Sequence, residues 1–314
     1  MTDVYAIGEM VIDMIPGNAP ASYLRRAGGA PANVAIAVAK NGLKASMACK
    51  VGNDDFGWFL MDTLKEHDVK QAVLDLTDEA ITTIAFVTLH ENGERVFTFA
   101  RKPGADMLLT PQEIKEEEIE DSVIVHAGSC SLSAHPVAEA TIKALKVGKE
   151  KGKIVSFDVN YRNLLWNDNQ EACTKAVFDI LPYVDILKIS EEELDMIGGV
   201  ENINKLMETN QIALVVETLG SDGAQAFYKN SVLRIQGRKV KAVDATGAGD
   251  AFWGAFLSYM RIHGVEKIED LNETIIQSAM EYGNVAGSIC VQSKGAISSL
   301  PTREMIEFCL KENK

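Results

Sequence analysis

Short runs of apolar residues alternate along the chain with longer segments of helical periodicity, such as Pro136–Lys151 and Asn169–Leu181. The short runs are brief and mostly apolar, which predicts buried strands. Five segments have this pattern: Val4–Ile7, Ser122–His126, Lys153–Phe157, Ile186–Ile189 and Ile212–Glu217. Strands that alternate with helices predict a largely parallel sheet with helices on both faces, an α/β fold. Ligands of such sheets bind at the carboxyl ends of the strands, so candidate site residues are expected there.

Three segments break this alternation and are predicted to be extended: Met10–Arg25, Ile81–Leu89 and Arg95–Arg101. Between the last two, Asn92-Gly93 predicts a tight hairpin turn, because both residues tolerate positive φ. Two arrangements remain open at this point. The segments form either a small sheet that stands off the main domain as a lid, from about 10–25 and 81–105, or an antiparallel edge of the main sheet. We find no internal repeat or long linker, so we expect residues 1–314 to form a single domain with this appendage.

Composition narrows the class of protein. The 314 residues include 31 basic and 45 acidic side chains, and this net charge of -14 argues against a nucleic-acid partner. It does not argue against a single nucleotide, which a few backbone N–H groups and a metal can hold. The five scattered cysteines lack zinc-site or redox spacing and suit reduced thiols. With no signal peptide or membrane-spanning run evident, we expect a soluble, cytoplasmic protein that has no membrane partner.

The sharpest candidate chemistry lies in residues 244–254. Gly247-Ala-Gly249 precedes a helical pattern, and the free N–H groups of a helix start form an anion site. Asp250 lies in the first turn of that helix, where a carboxylate next to a bound phosphate is a candidate general base. The alternative is a tight turn with an acidic cap. The segment is neither a P-loop nor a dinucleotide fingerprint, whose third glycine position holds Phe252.

Two segments resemble the signatures of the ribokinase-like (PfkB) carbohydrate kinases. The segment Asp244-Ala-Thr-Gly-Ala-Gly-Asp-Ala-Phe-Trp-Gly254 is similar to the C-terminal signature, and Gly28-Gly-Ala-Pro-Ala-Asn-Val-Ala-Ile-Ala37 to the N-terminal one. The resemblance covers essentially the whole chain. It implies a three-layer α/β/α sandwich with a mostly parallel central sheet and a small β-sheet lid. It also implies phosphoryl transfer from ATP, with Mg2+, to a sugar hydroxyl. By position, Asp250 matches the base, and the N–H groups of Gly247, Ala248 and Gly249 match an anion hole.

The resemblance also implies a sugar site. Taken alone, Gly28, Gly29 and Asn33 indicate only a close turn that leads into a helix with a polar first turn. With the family in view, the implied sugar ligands are Asp13, Gly28, Gly29, Asn33, Arg101, Asp106, Asp158 and Asn160. Asp13 would accept hydrogen bonds from adjacent sugar hydroxyls, and Arg162 would offset phosphate charge during transfer. For Arg101 the alternative is a solvated charge at the end of a hairpin.

The nucleotide and metal residues follow from the same resemblance. The implied nucleotide ligands are Lys188, Thr218, Gly220, Gly223, Gly249 and Asn284. Glu193 matches a glutamate that organises Mg2+ through water, although Glu191-Glu-Glu193 is also typical of a solvated helix start. Asp244 would help to bind K+, which many relatives hold beside the anion hole.

Further segments resemble the fructokinases within the family. They are Val51–Gly57, Phe86–Leu89, Ala105–Leu109 and Lys188–Leu194. This implies phosphorylation of the primary hydroxyl of D-fructose to give fructose 6-phosphate. 2-Keto-3-deoxygluconate kinase is the nearest alternative, and nucleoside kinase a more distant one. A non-catalytic sugar-binding regulator on the same scaffold should have lost the base or the glycines, and both are present. The resemblance further implies a homodimer formed through the lid.

Overall fold

The computed structural model describes residues 1–17, 19, 21–73, 75–89 and 95–312. The predicted Asn92-Gly93 turn therefore lies outside the described residues. The strands are β1 (Thr2–Ile7), β2 (Val11–Pro16), β3 (Tyr23–Gly28), β4 (Ala45–Ala48), β5 (Lys70–Gln71), β6 (Ile84–Leu89), β7 (Arg95–Ala100), β8 (Ser122–Gly128), β9 (Ile154–Asp158), β10 (Ile186–Ser190), β11 (Leu214–Thr218), β12 (Gly223–Tyr228) and β13 (Ser231–Gln236). The helices are α1 (Ala30–Lys40), α2 (Asp55–Glu66), α3 (Glu116–Glu120), α4 (Val137–Glu150), α5 (Gln170–Ile180), α6 (Ile203–Asn210), α7 (Ala248–Ile262), α8 (Glu273–Cys290), α9 (Ala296–Ser299) and α10 (Arg303–Lys311).

Nine strands form the central sheet in the order β13-β12-β11-β10-β9-β8-β1-β4-β5. The pairs from β5 through β11 are parallel, whereas β12 and β13 are added antiparallel. The chain runs from β1 outward through β4 and β5, and later restarts on the other side of β1 with β8. This reversal of direction opens a crevice at the carboxyl ends of β1 and β8, the place where such sheets bind ligands.

Strand β1 shows how the sheet separates two apolar layers. Val4 and Ala6 pack in one buried cluster with residues of α1, α2, α7 and α8. Tyr5 and Ile7 point to the opposite face and pack in a second cluster with residues of α4, α5 and α6. Because successive side chains of a strand face opposite sides, a strand buried on both faces is mostly apolar. The result is the α/β/α sandwich that the sequence pattern and the family resemblance imply.

A second sheet contains four strands in the order β3-β2-β6-β7. Strand β2 pairs antiparallel with β3 and parallel with β6, and β6 pairs antiparallel with β7. Of the two arrangements left open by the sequence, the small separate sheet is therefore the one observed. Its strands lie at Val11–Pro16, Tyr23–Gly28, Ile84–Leu89 and Arg95–Ala100, close to the predicted extended segments.

The five strands predicted from apolar runs all occur, with ends that differ by at most two residues. Cys49, Cys130, Cys173 and Cys290 are buried free thiols, as expected from their scattered spacing. In the part of the chain that the structure describes, no helix combines the length and apolar character needed to cross a membrane.

Candidate active site

Helix α7 begins at a glycine turn, Gly247-Ala-Gly249, whose residues line two cavities. Gly247 caps the helix with φ 79°, and a Cβ on Gly247 would lie 2.7 Å from the Cβ of Ala296. Both the left-handed backbone and the close approach therefore require glycine. Of the three N–H groups predicted to bind an anion, that of Ala248 donates to the carbonyl of Ala245 at 3.2 Å. The N–H of Ala248 could bind an anion, as predicted, only if this long hydrogen bond to Ala245 broke.

Asp250 lies in the first turn of α7 and is only 6% exposed. Its Oδ2 accepts a hydrogen bond of 2.7 Å from Nδ2 of Asn33, which lies on α1. Burial raises the pKa of Asp250 above its usual value, although the Asn33 hydrogen bond and the charges of Arg162 and Lys188 oppose that rise. A carboxylate with a raised pKa is a better proton acceptor, as a general base requires.

Buried contacts fix the position of α7 against the rest of the molecule. Trp253 donates from Nε1 to Oγ of Ser156 at 2.9 Å, and the same hydroxyl lies 3.0 Å from Nδ1 of His126. Burial, together with the charge of Lys188, lowers the pKa of His126 to about 3, so this histidine is neutral and structural. On the α1 side, a Cβ on Gly254 would lie 2.5 Å from Cβ of Ala37, so the two helices touch. These contacts hold Asp250 in place.

A cavity of about 250 Å3, here called the Asp250 cavity, opens beside the base. Its lining includes three predicted sugar ligands, Asp13, Gly29 and Asn33. It also includes the predicted base Asp250 and Arg162. The cavity is therefore formed by β2, α1, α7 and the segment after β9. Asp13, Gly29 and Asn33 lie more than 200 positions before Asp250 in the sequence, and the fold brings all four to one cavity.

Glycine makes room for Asp13 at the edge of this cavity. A Cβ on Gly28 would lie 2.4 Å from Oδ2 of Asp13. In the backbone register of β2 and β3, Asp13 lies opposite Arg26. Burial and the nearby charge of Asp244 raise the pKa of Asp13 to about 6. Gly29 has φ 115°, and a Cβ there would lie 2.4 Å from the carbonyl oxygen of Glu9. The glycine pair thus allows the turn into α1 to pass close to β2.

Glu9 also lines the Asp250 cavity, although it was not among the residues predicted for the sugar site. It is 5% exposed, and its Oε1 accepts a hydrogen bond of 3.0 Å from the N–H of Ala30. Its Oε2 is buried and has no hydrogen-bond partner. Burial raises the pKa of Glu9 to about 7. The signal was available, because Glu9 follows the carboxyl end of β1 within two residues.

A second cavity of about 590 Å3, here called the Gly249 cavity, lies on the other side of the start of α7. Ala248 lines it, and so do five of the predicted nucleotide ligands: Thr218, Gly220, Gly223, Gly249 and Asn284. Gly223 has φ 107°, and a Cβ there would lie 2.1 Å from the carbonyl oxygen of Ile235. The predicted anion site at the start of α7 therefore contributes residues to both cavities, Gly247 to one and Ala248 and Gly249 to the other.

A buried ion pair lies beneath the start of α7. Lys188 donates from Nζ to Oδ2 of Asp158 at 2.8 Å, and both side chains are almost completely buried. The Nζ atom would lie 3.6 Å from a Cβ on Gly249, so its positive charge is close to the anion site. Oδ1 of Asp158 is buried without a partner. Asn160, two residues on, is buried and has φ 38°.

The predicted magnesium residue Glu193 has a structural role. Its Oε1 accepts a hydrogen bond of 2.6 Å from the N–H of Tyr161, and its Oε2 one of 2.9 Å from the N–H of Ser190. Glu193 thereby joins the end of β10 to the segment that carries Asn160 and Arg162. Each carboxylate oxygen can still accept a further hydrogen bond, so an ordered water can bind there.

The described residues contain no cluster of three or more acidic, histidine or cysteine side chains that could enclose a metal. The carboxylate oxygens of Glu193 and Asp158 fit Mg2+ bound through water, because Mg2+ keeps several waters and uses phosphate oxygens as ligands. Asp244, the predicted potassium residue, is buried, and its two oxygens accept hydrogen bonds from the N–H groups of Thr246 and Gly295 at 2.9 and 3.0 Å. Its carboxylate also fits a cation with oxygen ligands.

Arg101 and Asp106 were predicted to contact the sugar, and here they bind each other. Nε of Arg101 donates to Oδ2 of Asp106 at 2.9 Å, and the Thr83 hydroxyl donates to the other carboxylate oxygen. The pair is buried at the base of the small sheet, and neither residue is part of the lining of the Asp250 cavity as the structure describes it. A direct sugar contact by Arg101 therefore remains a prediction.

Comparison with known proteins is consistent with this geometry. Residues 1–303 match the model of the pfkB family carbohydrate kinases. The chain belongs to this family. Its members are phosphotransferases that act on sugar hydroxyls, so this chain is a carbohydrate kinase.

Relatives within the pfkB family include several fructokinases. The chain is 39% identical to Fructokinase-1 of Oryza sativa subsp. japonica, over 95% of this chain and 94% of that protein. A crystal structure of fructokinase with bound ATP from Xylella fastidiosa superimposes with a TM-score of 0.91 at 29% identity, covering 99% of this chain and 98% of that one. A double mutant of fructokinase from Vibrio cholerae O395, with fructose, ADP and potassium ion bound, gives 0.88 at 35% identity, covering 98% of each chain.

The pfkB fold and family predicted from two short signatures are thus confirmed. The structure also brings together the residues of those signatures, since Asn33 and Asp250 share a hydrogen bond. The roles of individual residues in binding and catalysis stay predictions.

Proposed function

We propose that this kinase transfers the γ-phosphoryl group of ATP to the primary hydroxyl of D-fructose, giving ADP and fructose 6-phosphate. The observation that carries the proposal is the pair of cavities on either side of the start of α7. The Asp250 cavity suits a single sugar and the Gly249 cavity a nucleotide. The fructose, ADP and ATP named for the Vibrio and Xylella fructokinases, and the identity of about 39% to a plant fructokinase, support the same assignment.

In this mechanism Asp250 removes the proton from the attacking hydroxyl. Its raised pKa favours proton uptake, and its hydrogen bond to Asn33 orients the carboxylate toward the cavity. The free N–H groups at the start of α7, among them that of Gly249, stabilise the charge that develops on the transferred phosphoryl group. The positive charge of Lys188 beneath the turn strengthens this anion site.

The ions assigned to the site have supporting roles. Mg2+ bound to ATP would neutralise phosphate charge, and water molecules on Glu193 and the unpartnered Oδ1 of Asp158 are suitable partners for it. K+ would bind near Asp244, as the potassium-bound Vibrio structure suggests by analogy. Arg162 is exposed at the mouth of the Asp250 cavity, where it can offset phosphate charge late in transfer.

The charges in the Asp250 cavity favour a neutral sugar over 2-keto-3-deoxygluconate. Three carboxyl groups line the cavity, those of Glu9, Asp13 and Asp250, and Arg162 is the one cation in its described lining. A substrate that carries its own carboxylate would bring a further negative charge next to these acids, which costs free energy in a partly buried site. The base and the anion-hole glycines also speak against a non-catalytic regulator.

A substrate panel tests the proposal. We expect kcat/KM for D-fructose to exceed that for 2-keto-3-deoxygluconate, D-ribose and adenosine by about 100-fold or more, because each lost or mismatched polar contact costs about tenfold or more. The measurement is ADP release in a coupled assay, repeated with EDTA and with Na+ in place of K+ to test the ion assignments. Faster turnover of 2-keto-3-deoxygluconate or adenosine than of fructose would show that the substrate assignment is wrong.

We also propose that the enzyme is a cytoplasmic homodimer joined through the small sheet, which would act as a lid on the sugar site. Strand β3 is an edge strand of that sheet, and its Tyr23 and Leu24 are half exposed. Exposed apolar side chains on a sheet edge are typical of a contact between copies. We expect sedimentation velocity to give a dimer for the wild type and a monomer for Leu24→Lys. A wild-type monomer at micromolar concentration would rule the proposal out.

A further inference from the structure

Two residues that line the Asp250 cavity each have a buried side-chain acceptor atom without a hydrogen-bond partner in the described structure. They are Oε2 of Glu9 and Oδ1 of Asn33. A buried polar atom without a hydrogen bond destabilises the fold, so such an atom on a residue that lines a ligand cavity indicates where a ligand donor binds. Asn33 already belongs to the predicted sugar site. Glu9 has no role in the family resemblance or in the mechanism above.

Glu9 is held rigidly enough to act as a ligand. Its Oε1 accepts the N–H of Ala30 at the start of α1, which fixes the carboxyl group at the carboxyl end of β1. The charged groups that act on it are Asp106 and Arg101, and these two are paired with each other. No cation in the described structure is bonded to Oε2. The backbone N–H groups of Glu9 and Ala30 act on the carboxyl group, but neither is hydrogen-bonded to Oε2, so this oxygen can accept a hydrogen bond from a ligand in the cavity that Glu9 lines.

We propose that Oε2 of Glu9 accepts a hydrogen bond from a non-reacting hydroxyl of the sugar, and that Glu9 thereby helps to determine sugar specificity. This inference rests on the proposed function, because it adds a contact to the same sugar site. A carboxylate at this position selects ligands that carry a hydroxyl there, since the ligand without it leaves a buried acceptor unpaired. At pH 8, above the pKa of about 7, Glu9 is mostly ionised and acts as an acceptor.

The test compares fructose with analogues that each lack one hydroxyl: 1-deoxy-, 3-deoxy- and 4-deoxyfructose, and 2,5-anhydromannitol. We expect the wild type at pH 8 to lose about 10- to 100-fold in kcat/KM with one of them. Glu9→Gln keeps an oxygen for Ala30 and replaces the other by an NH2 group. The kcat/KM of Glu9→Gln for fructose should be lower than that of the wild type by a similar factor. For Glu9→Gln, kcat/KM should be the same with that one analogue as with fructose, and the KM for ATP should be unchanged.

Two controls separate a sugar contact from a structural role. Glu217→Gln changes an equally buried glutamate, at β11, whose carboxylate accepts from Gln225, and should leave kcat/KM within threefold of wild type. Glu9→Ala, which removes the whole side chain, should repeat the loss of discrimination if Glu9→Gln folds poorly. If the Glu9 variants discriminate among the analogues as the wild type does, or the wild type discriminates against none, the inference is overturned.

Failure of the proposed function would look different. A wild type that does not phosphorylate fructose would contradict the fructokinase assignment. The same comparison of wild type and Glu9→Gln, made by calorimetric binding with the sugar that the panel selects and its deoxy analogues, would then decide whether Glu9 contacts a hydroxyl.

Discussion

Replacing Asp250 by asparagine should lower kcat for fructose phosphorylation by about 1,000-fold or more, since removal of a general base costs about 100- to 10,000-fold. The change removes the proton acceptor but keeps the shape of the side chain, and its amide oxygen can still accept the 2.7 Å hydrogen bond from Asn33. Binding should therefore survive, and calorimetry should give a fructose Kd within about threefold of wild type.

Asp55→Asn provides the matched control for Asp250→Asn. Asp55 also lies in the first turn of a helix, α2, but it is exposed and outside both cavities. The same chemical change there should leave kcat unaltered. Activity of Asp250→Asn within tenfold of wild type would exclude Asp250 as the base.

The second large effect is on stability. Lys188→Met leaves the carboxylate of Asp158 buried without its only cation partner in the described structure, and Oδ1 of Asp158 already lacks a partner. Breaking one half of a buried ion pair costs about 3–5 kcal/mol. We expect the free energy of unfolding, measured by urea denaturation, to fall by about this amount.

A rescue variant distinguishes the lost pair from poor packing of methionine. Lys188→Met combined with Asp158→Asn removes both charges, and its stability should return to within about 1–2 kcal/mol of wild type, because a neutral replacement of a buried pair is often tolerated. Lys175→Met, which breaks the exposed pair with Asp179, should cost less than about 1 kcal/mol. Equal losses for the single and double variants would contradict the electrostatic explanation.

The sequence predicted the sheet well because its strands are buried on both faces. An apolar run such as Ile186–Ile189 has one stable place in such a fold, and the observed β10 differs from it by one residue. Boundaries were less certain where a loop supplies apolar residues. Ile212 is buried and belongs to the predicted strand Ile212–Glu217, but β11 starts only at Leu214.

The candidate residues in the two signatures could be predicted because the glycines next to them form a recognisable pattern in the sequence. Gly247 and Gly29 adopt positive φ and approach neighbouring chain segments too closely for a side chain. For Glu9 the sequence shows only its position two residues after β1, because its burial and its unpartnered oxygen depend on how the chain packs against the start of α1. The pairing of Arg101 with Asp106 likewise depends on Thr83, a tertiary contact that spacing does not specify.

The hydrogen bond between Asn33 and Asp250 joins residues 217 positions apart. Contacts that close such long loops form late in folding, since the entropy cost of closure comes before any contact repays it. A ribosome releases Asn33 and the whole first half of the central sheet well before α7 exists. Until then, the surface of α1 that later packs on α7 stays open to other chains, and the nascent protein cannot yet bring base and sugar site together. Catalytic competence therefore requires that the chain has been synthesised at least as far as α7.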